Sequence, residues 1–203
     1  AFSAAMTHHQ DVGGMSPGSV PTNATEIFQE GIRIPPLKYS SGGIVNETLL
    51  KLLKLNVRLP DSFEGDLNAQ LAACEIGRRR ISDLESRYSV KVLKNIFSDL
   101  LNRSELMTRR AIRELPDGKH SYFDFLDNDG IDLDTPIKIE VSVLVEDDSV
   151  HIDFQGTSGQ VRGPFNLMPS GAYAAAYFAV HAMTDPDIPT NGGCFRPITL
   201  SLP

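Results

Sequence analysis

The spacing of apolar side chains changes near residue 115, and that change limits the folds this chain can adopt. From about residue 45 to residue 115, apolar side chains recur every three or four positions, which is typical of helices with one buried face. Later they alternate with polar ones, over residues 137–145 and again over 150–154, which is typical of half-buried strands. Helices followed by strands predict an α+β fold, in which long helices pack a mixed sheet.

The helical part of the pattern predicts three helices, and a fourth follows later. A short helix covers residues 45–56, and Asp66 is a candidate N-cap for a longer one. Ser89 can cap a third helix that runs to about Leu115. The alanine-rich segment 171–183 is apolar nearly all round, so we expect a deeply buried helix there.

Strands are predicted in the second half and at both ends of the chain. Residues 120–125 form one strand, and the polar turn 146–149 joins two others as a hairpin. The stub 1–6 reads as a buried strand, and residues 197–203 read as a last one. Because strand edges need hydrogen-bonding neighbours, we expect this chain to be a piece of a longer polypeptide or one fragment of a nicked one.

A long loop is predicted over residues 7–44, which are rich in Gly, Pro, Ser and Asn. Irregular segments of this length are uncommon in compact domains unless they serve a function. Scattered apolar residues, from Ile27 to Leu37, could pin the loop to a core. The sequence therefore favours a site loop over a linker.

The loop opens with the densest group of chemically active side chains in the chain. His8 and His9 stand side by side, Asp11 follows, and the chain then turns through Gly13 and Gly14. Imidazole and carboxylate groups bind catalytic metals and transfer protons near neutral pH, and glycines let the backbone approach a ligand. The spacing alone also fits ordinary polar loop residues, which is the commoner case.

Composition excludes several classes of partner. The net charge of −7 and the pI of about 5.2 argue against a nucleic acid or an anionic membrane surface. The run Arg78–Arg80 is then a solvated helix face or an intersubunit contact. Cys74 and Cys194 lie far apart, which fits a reducing cytoplasm. No apolar stretch reaches the roughly 18 residues that a membrane span needs.

Two segments resemble known ligand-binding loops but lack residues that those loops require. The segment 124–130 resembles a calcium loop, but with Gly130 in the turn position its first and twelfth positions are Phe125 and Pro136, which are not ligands. The segment 156–160 lacks the lysine and spacing of a phosphate-binding loop. Any ATP chemistry is therefore expected to use parts outside this chain.

Short blocks of residues follow one another in a characteristic order along nearly the whole chain. These blocks are His8–Gly14, Pro17–Ser19, Gln29–Pro36, Asn56–Arg58, Gly65–Gln70, Ser104–Glu105, Leu115–Gly118, Asp127–Gly130, Asp153–Ser158, Asn191–Gly193 and Arg196–Ile198. In this order they resemble the hydantoinase B/oxoprolinase family. The resemblance implies that residues 1–203 are the central part of one hydantoinase B-like domain, whose upstream and C-terminal parts are absent.

The resemblance implies a subunit of an ATP-dependent enzyme that acts on a small molecule. In such enzymes a hydantoinase A-like ATPase subunit or domain binds ATP and phosphorylates a carbonyl or lactam oxygen. The B-type part then completes the reaction at a divalent metal ion, Mn or Zn. The resemblance also implies a cytoplasmic hetero-oligomer that includes the remaining parts of the same B-type polypeptide.

The resemblance also implies roles for individual residues of this chain. His8 matches a histidine that ligates the metal in the carboxylase branch, while the other family ligands, a histidine and an aspartate, match positions upstream of Ala1. Since metal ligands need supporting groups, the resemblance makes His9 and Asp11 acid–base or supporting candidates. Glu30 matches a family glutamate, either as a hydrogen-bonding group of the site or as a clamp of the loop.

Three functions stay open at the level of sequence. The first is an ATP-dependent amidohydrolase that opens a lactam, hydantoin or oxoproline-type ring. The second is a ketone carboxylase of the acetone or acetophenone type. The third is a scaffold segment that assembles the complex without taking part in catalysis.

Overall fold

The computed structural model describes residues 2–203, which divide into two compact units. The first unit ends at Tyr88, and the second runs from Ser89 to Pro203. Helices and a mixed sheet together confirm the predicted α+β fold class. Among the described residues, no helix combines the length and the apolar character that crossing a bilayer demands.

The first unit consists of the N-terminal loop, a two-stranded ribbon and two helices. Its regular elements are two short 3₁₀ turns at Pro17–Ser19 and Ile27–Gln29, strands β1 (Ser40–Ser41) and β2 (Ile44–Val45), and helices α1 (Glu47–Leu55) and α2 (Pro60–Arg87). The long irregular loop was predicted correctly. The predicted first strand was wrong: residues 2–6 form none, with Phe2 and Met6 exposed, and Ala1 lies outside the described residues.

The two helices start for different physical reasons. At α1 the side chain of Asn46 accepts a hydrogen bond from the N–H of Leu49 over 3.0 Å, which satisfies an end donor. Helix α2 starts at Pro60, without a side-chain cap, because the fixed φ of proline suits the first helical position. Asp66 is therefore not the N-cap that the sequence suggested but lies in the second turn of α2.

A small core joins the loop to these helices. It is built from Leu53, Val57 and Phe63, against which Val12 and Ile32 of the loop pack. The other apolar side chains between Ile27 and Leu37 do not pin the loop as expected. The side chains of Ile27, Phe28, Ile34 and Leu37 are all about half exposed or more. The arginine run on α2 is solvated, and Arg78 and Arg79 pair with Glu75.

The second unit contains the larger sheet and two helices. Its elements are α3 (Val90–Ile112), β3 (Gly118–Leu126), β4 (Ile137–Glu146), β5 (Ser149–Asp153), α4 (Pro169–Met183) and β6 (Ile198–Ser201). The sheet order is β3-β4-β5-β6, antiparallel except for the parallel pair β5 and β6. Ser89 caps α3 as predicted. The predicted hairpin and last strand are also confirmed.

The core of this unit lies on one face of the sheet. It contains Ile112 of α3, Val145, Val150, Ile152, Ile198, and Ala176 and Val180 of α4. The expectation that α4 is deeply buried was wrong. Only Ala176 and Val180 are buried, and Phe178 is 76 % exposed, because a single face of the helix meets the sheet.

The segment that resembles a calcium loop is a polar turn. The carboxylate of Asp129 accepts hydrogen bonds from the N–H groups of Asp132, Ile131 and Gly163, at 2.7, 2.8 and 3.0 Å. These bonds, with that of Asp132 first, lower the pKa of Asp129. The carboxylate of Asp129 thus stabilises the backbone of the turn through these hydrogen bonds.

Candidate functional site

The two adjacent histidines have different environments. His8 is exposed on an irregular segment, whereas His9 is partly buried. The imidazole of His9 packs on the ring of Phe63, with 4.6 Å between the ring centroids. Its Nδ1 lies 3.4 Å from Oδ2 of Asp66. Phe63 and Asp66 stand three residues apart on α2 and so present both contacts from one face of the helix.

His9 and Asp66 lie side by side without a hydrogen bond. Nδ1 of His9 is 3.4 Å from Oδ2 of Asp66, but this buried nitrogen has no hydrogen-bond partner among residues 2–203. The ring is therefore held by stacking on Phe63 and by packing beside Asp66. A small cleft surrounds it, lined by His9, Gln10, Asp11, Leu59, Ser62, Phe63 and Asp66.

Asp11 is buried and fully engaged with donors. Its Oδ1 accepts from the N–H groups of Gly13 and Arg58, at 2.9 and 3.2 Å. Its Oδ2 accepts from the N–H of Gly18 and from the guanidinium of Arg58, both at 3.1 Å. The bond from Gly13 lowers the pKa most, burial opposes it, and the other donors bring the pKa of Asp11 to about 2.

The glycines of the loop permit close backbone approach. Gly13 has a φ of +88°, and a β-carbon there would lie 2.4 Å from the carbonyl oxygen of Asn56. Gly14 has a φ of +81°, and a β-carbon there would lie 2.6 Å from the carbonyl of Glu30. Only glycine meets both demands at once. The predicted turn is thus packed against α1 and against the other side of the loop.

Glu30 reaches this turn through its backbone. The N–H of Met15 donates to the carbonyl of Gln29, and the N–H of Ile32 donates to the carbonyl of Val12, both over 2.8 Å. These two bonds align the segment around Glu30 beside Gly14. The side chain of Glu30 is exposed, so the structure brings its backbone, rather than its carboxylate, to the glycine turn.

Residues that carry the site geometry were missing from the sequence-based prediction. Arg58 entered only as part of a family block, and Asp66 as a helix cap and as part of another block; Phe63 was not considered. No periodic signal marks Arg58, because its partner Asp11 lies 47 positions earlier. The acidic side chain at Asp66 and the aromatic ring at Phe63, three residues apart on a predicted helix, could have suggested a platform for an imidazole.

The residues present do not form a metal centre on their own. Among residues 2–203, no three or more His, Cys, Asp or Glu side chains are grouped so as to hold an ion. Asp11 spends both oxygens on other donors. His8 offers an exposed imidazole at the start of the loop, so this residue could supply one ligand from the cluster.

Comparison with known proteins gives one consistent family. A family model described as hydantoinase B/oxoprolinase matches residues 1–203. The chain is 33 % identical to the B-type component of a putative D-/L-hydantoinase of a Pseudomonas species, over all of this chain and 36 % of that protein. It is 25 % identical to the acetophenone carboxylase delta subunit of Aromatoleum aromaticum, over 98 % of this chain and 29 % of that one.

A solved structure extends the likeness to the fold. The crystal structure of the ATP-dependent caprolactamase of Pseudomonas jessenii matches with a TM-score of 0.86 and 29 % identity. The match covers 97 % of this chain and 34 % of that chain. The chain spans about a third of the length of the curated relatives it matches.

Proposed function

The chain belongs to the hydantoinase B/oxoprolinase family, and from that premise we propose that it forms part of the B-type subunit of an ATP-dependent amidohydrolase. The proposed reaction opens a lactam, hydantoin or oxoproline-type ring after a partner subunit has phosphorylated the carbonyl. The observation that carries the proposal is the ordered histidine loop of a chain that matches this family throughout. Relatives named as a hydantoinase component and a caprolactamase support the substrate class.

The chemistry explains why such a subunit needs a partner. An amide carbonyl is a poor electrophile, and transfer of a phosphoryl group to its oxygen supplies a leaving group. We propose a hydantoinase A-like ATPase subunit or domain as the source of that phosphoryl group. Two relatives carry names that make each of them one subunit of a larger enzyme, which supports a multi-subunit arrangement.

We propose that His8 supplies one ligand of a divalent metal ion, Mn or Zn, whose other ligands are not among the described residues. Its exposed imidazole supports this role. When bound, such an ion acts as a Lewis acid at an oxygen of the substrate. The chain's own part in this proposal is to present the ring of His8 at the start of an ordered loop.

The neighbouring residues divide the remaining tasks. His9, oriented by Phe63 and Asp66, is the proposed hydrogen-bonding and proton-handling group, since its ring lines the cleft. Asp11 is a positioning residue rather than an acid or base, because both oxygens already accept from four donors. Glu30 is proposed as part of a clamp of the loop, because its backbone lies against Gly14 and its neighbours Gln29 and Ile32 hydrogen-bond to the segment 12–15.

A second candidate is a subunit of a ketone carboxylase. The similarity to the acetophenone carboxylase delta subunit over 98 % of this chain favours it. In that case the same loop would serve the addition of a bicarbonate-derived carbon to a ketone. The two candidates differ in their need for bicarbonate.

The test uses the full-length subunit assembled with its partner ATPase. Ring opening of a lactam or hydantoin that consumes ATP without bicarbonate is the expected result. ATP turnover that requires both a ketone and bicarbonate would establish the carboxylase instead. His8→Ala separates both from a scaffold: the proposal expects loss of activity and of bound metal, and full retention of both would overturn a catalytic role.

A further inference from the structure

The guanidinium of Arg58 binds three backbone carbonyl groups of the glycine turn, residues 13–16. Nη1 of Arg58 donates to the carbonyls of Gly13 and Ser16, over 3.2 and 3.1 Å. Nη2 donates to the carbonyl of Gly14 over 2.6 Å. Since Nη1 also contacts Asp11 at 3.1 Å, the side chain of Arg58 binds three backbone carbonyls and a carboxylate of one short segment.

The planar fork of arginine is needed for this set of contacts. Arginine carries five N–H donors in a rigid plane, whereas lysine carries three donors on a single compact charge. The acceptors here are divided between Nη1 and Nη2, and the carbonyls of Gly13 and Gly14 are separated by one peptide unit. A lysine ammonium could reach one or two of these acceptors but not all four.

Both anchors of the histidine segment come from the same short stretch of chain. Arg58 stands two residues before α2 begins and holds Asp11. Phe63, in the first turn of α2, holds the ring of His9. Because Asp11 and His9 are two residues apart, the backbone between them is fixed at one end by Arg58 and at the other by α2.

We propose that Arg58 is a positioning residue that sets the geometry of the His8–His9 segment and thereby the rate of the chemical step. The inference rests on the proposed function, because it assigns Arg58 a role at that same site. Arg58 itself touches no reacting atom. Its effect passes through Asp11 and the turn 13–16, and a displacement of about 1 Å at reacting groups is enough to slow a reaction about 100-fold.

The experiment compares Arg58→Lys and Arg58→Gln with Arg79→Lys in the full-length protein, assembled with its partner ATPase. Arg79 is a matched control because it is an exposed arginine that pairs with a carboxylate, Glu75, on the surface of α2. The measurements are kcat and KM for ring opening, the melting temperature, amide hydrogen exchange at Gly13 and Gly18, and the imidazole NMR signals of His9.

For Arg58→Lys we expect kcat to fall at least about tenfold with little change in KM, with a melting temperature close to that of the parent. Exchange at Gly13 and Gly18 should accelerate, and the signals of His9 should shift. Arg79→Lys should leave kcat, KM, the melting temperature, the amide exchange rates and the His9 signals unchanged. An unaltered kcat and unshifted His9 signals, together with faster exchange, would show a purely structural role and overturn the proposal.

Failure of the proposed function and failure of the Arg58 variants to fold can each be distinguished from failure of this proposal. If the parent complex opens no ring, the proposed function fails, but the exchange rates and His9 signals still report whether Arg58 fixes this segment. If the Arg58 variants do not fold, Asp11→Asn removes the ion pair with a smaller change of shape. Unshifted His9 signals in a folded Asp11→Asn protein would then contradict the proposal.

Discussion

The backbone N–H of Arg58 donates to Oδ1 of Asp11 over 3.2 Å, while the guanidinium of the same residue donates to Oδ2 over 3.1 Å. One residue thus satisfies both oxygens of a carboxylate that is only 5 % exposed. Buried carboxylates are tolerated when charge and hydrogen bonds compensate them. The pair therefore fixes the loop to the start of α2, and the loop should respond to any change in the charge of Asp11.

Replacing Asp11 with asparagine should destabilise the first unit. The amide keeps one acceptor but turns its NH₂ group toward donors, either toward Gly18 and the guanidinium or toward the backbone N–H groups of Gly13 and Arg58. Losing charge-assisted hydrogen bonds of this kind costs about 2–3 kcal/mol. Urea unfolding of the full-length protein, followed by a probe in the first unit, measures the loss.

The matched control for this change is Asp83→Asn. The side chain of Asp83 is 66 % exposed and lies 3.7 Å from Arg80 on α2. Exposed pairs of this kind contribute little, so the change should stay within about 0.5 kcal/mol. Equal effects of the two substitutions would show that Asp11 is not the anchor described.

Acid should loosen the loop before it melts the helices. The pKa of Asp11 falls from the ordinary 3.8 to about 2, so its ionised form is favoured by folding. The resulting stabilisation is complete above pH 3.8 and is lost as the pH falls through about 2. Amide exchange at Gly13 and Gly18, relative to amides inside α2, should accelerate across this window.

The same pH-dependent amide exchange measurement on the Asp11→Asn variant is the control for this prediction. An asparagine does not titrate, so exchange at Gly13 and Gly18 should be fast already at neutral pH and should lack the step between pH 3.8 and 2. If the variant keeps that step, another group controls the loop. The carboxylates nearest to the loop on α2, Glu64 and Asp66, would then be the next groups to replace.

The sequence predicted local structure well where one side chain decides it. Ser89 precedes an apolar row directly, and its hydroxyl caps α3 as expected. The prediction that Asp66 is an N-cap was wrong because residue type alone does not distinguish an aspartate inside a helix from one at its start. The true start at Pro60 relies on the fixed φ of proline and has no capping side chain, so no capping residue in the sequence marks it.

The sequence placed the candidate site residues on a loop but did not reveal the contacts that hold them. His8, His9 and Asp11 lie on an irregular loop, as the glycine-rich sequence indicated. That Asp11 is buried depends on Arg58, and that His9 is held depends on Phe63, so both facts arise from contacts between distant positions. Spacing along a chain carries no information about such contacts until the fold brings the partners together.

Alanine at Gly13 should destabilise the loop more than alanine at Gly18. Both glycines have positive φ, +88° and +77°, which costs an L residue about 1–2 kcal/mol. Only at Gly13 would the new β-carbon meet the carbonyl of Asn56, at 2.4 Å, whereas at Gly18 nothing lies within 4 Å. Overpacking adds about 1–3 kcal/mol.

Urea unfolding of the two glycine variants gives the comparison directly, since Gly18→Ala carries the backbone strain alone. The difference between them isolates the contact between the turn and the end of α1. Equal destabilisation would show that this contact gives way without cost, and that positive φ is the sole reason for glycine at position 13.

In the second unit, Ile112→Ala should be strongly destabilising. Ile112 is completely buried where the last turn of α3 meets the sheet. Truncating such a side chain removes buried apolar area and leaves a cavity, at a cost of about 2–5 kcal/mol. Ile96→Ala on the same helix is the matched control, because Ile96 is 39 % exposed and alanine favours a helix slightly more than isoleucine does. Chemical denaturation with a probe in this unit should therefore separate the two variants by at least about 1.5 kcal/mol, and a smaller separation would mean that α3 does not pack on the sheet as described.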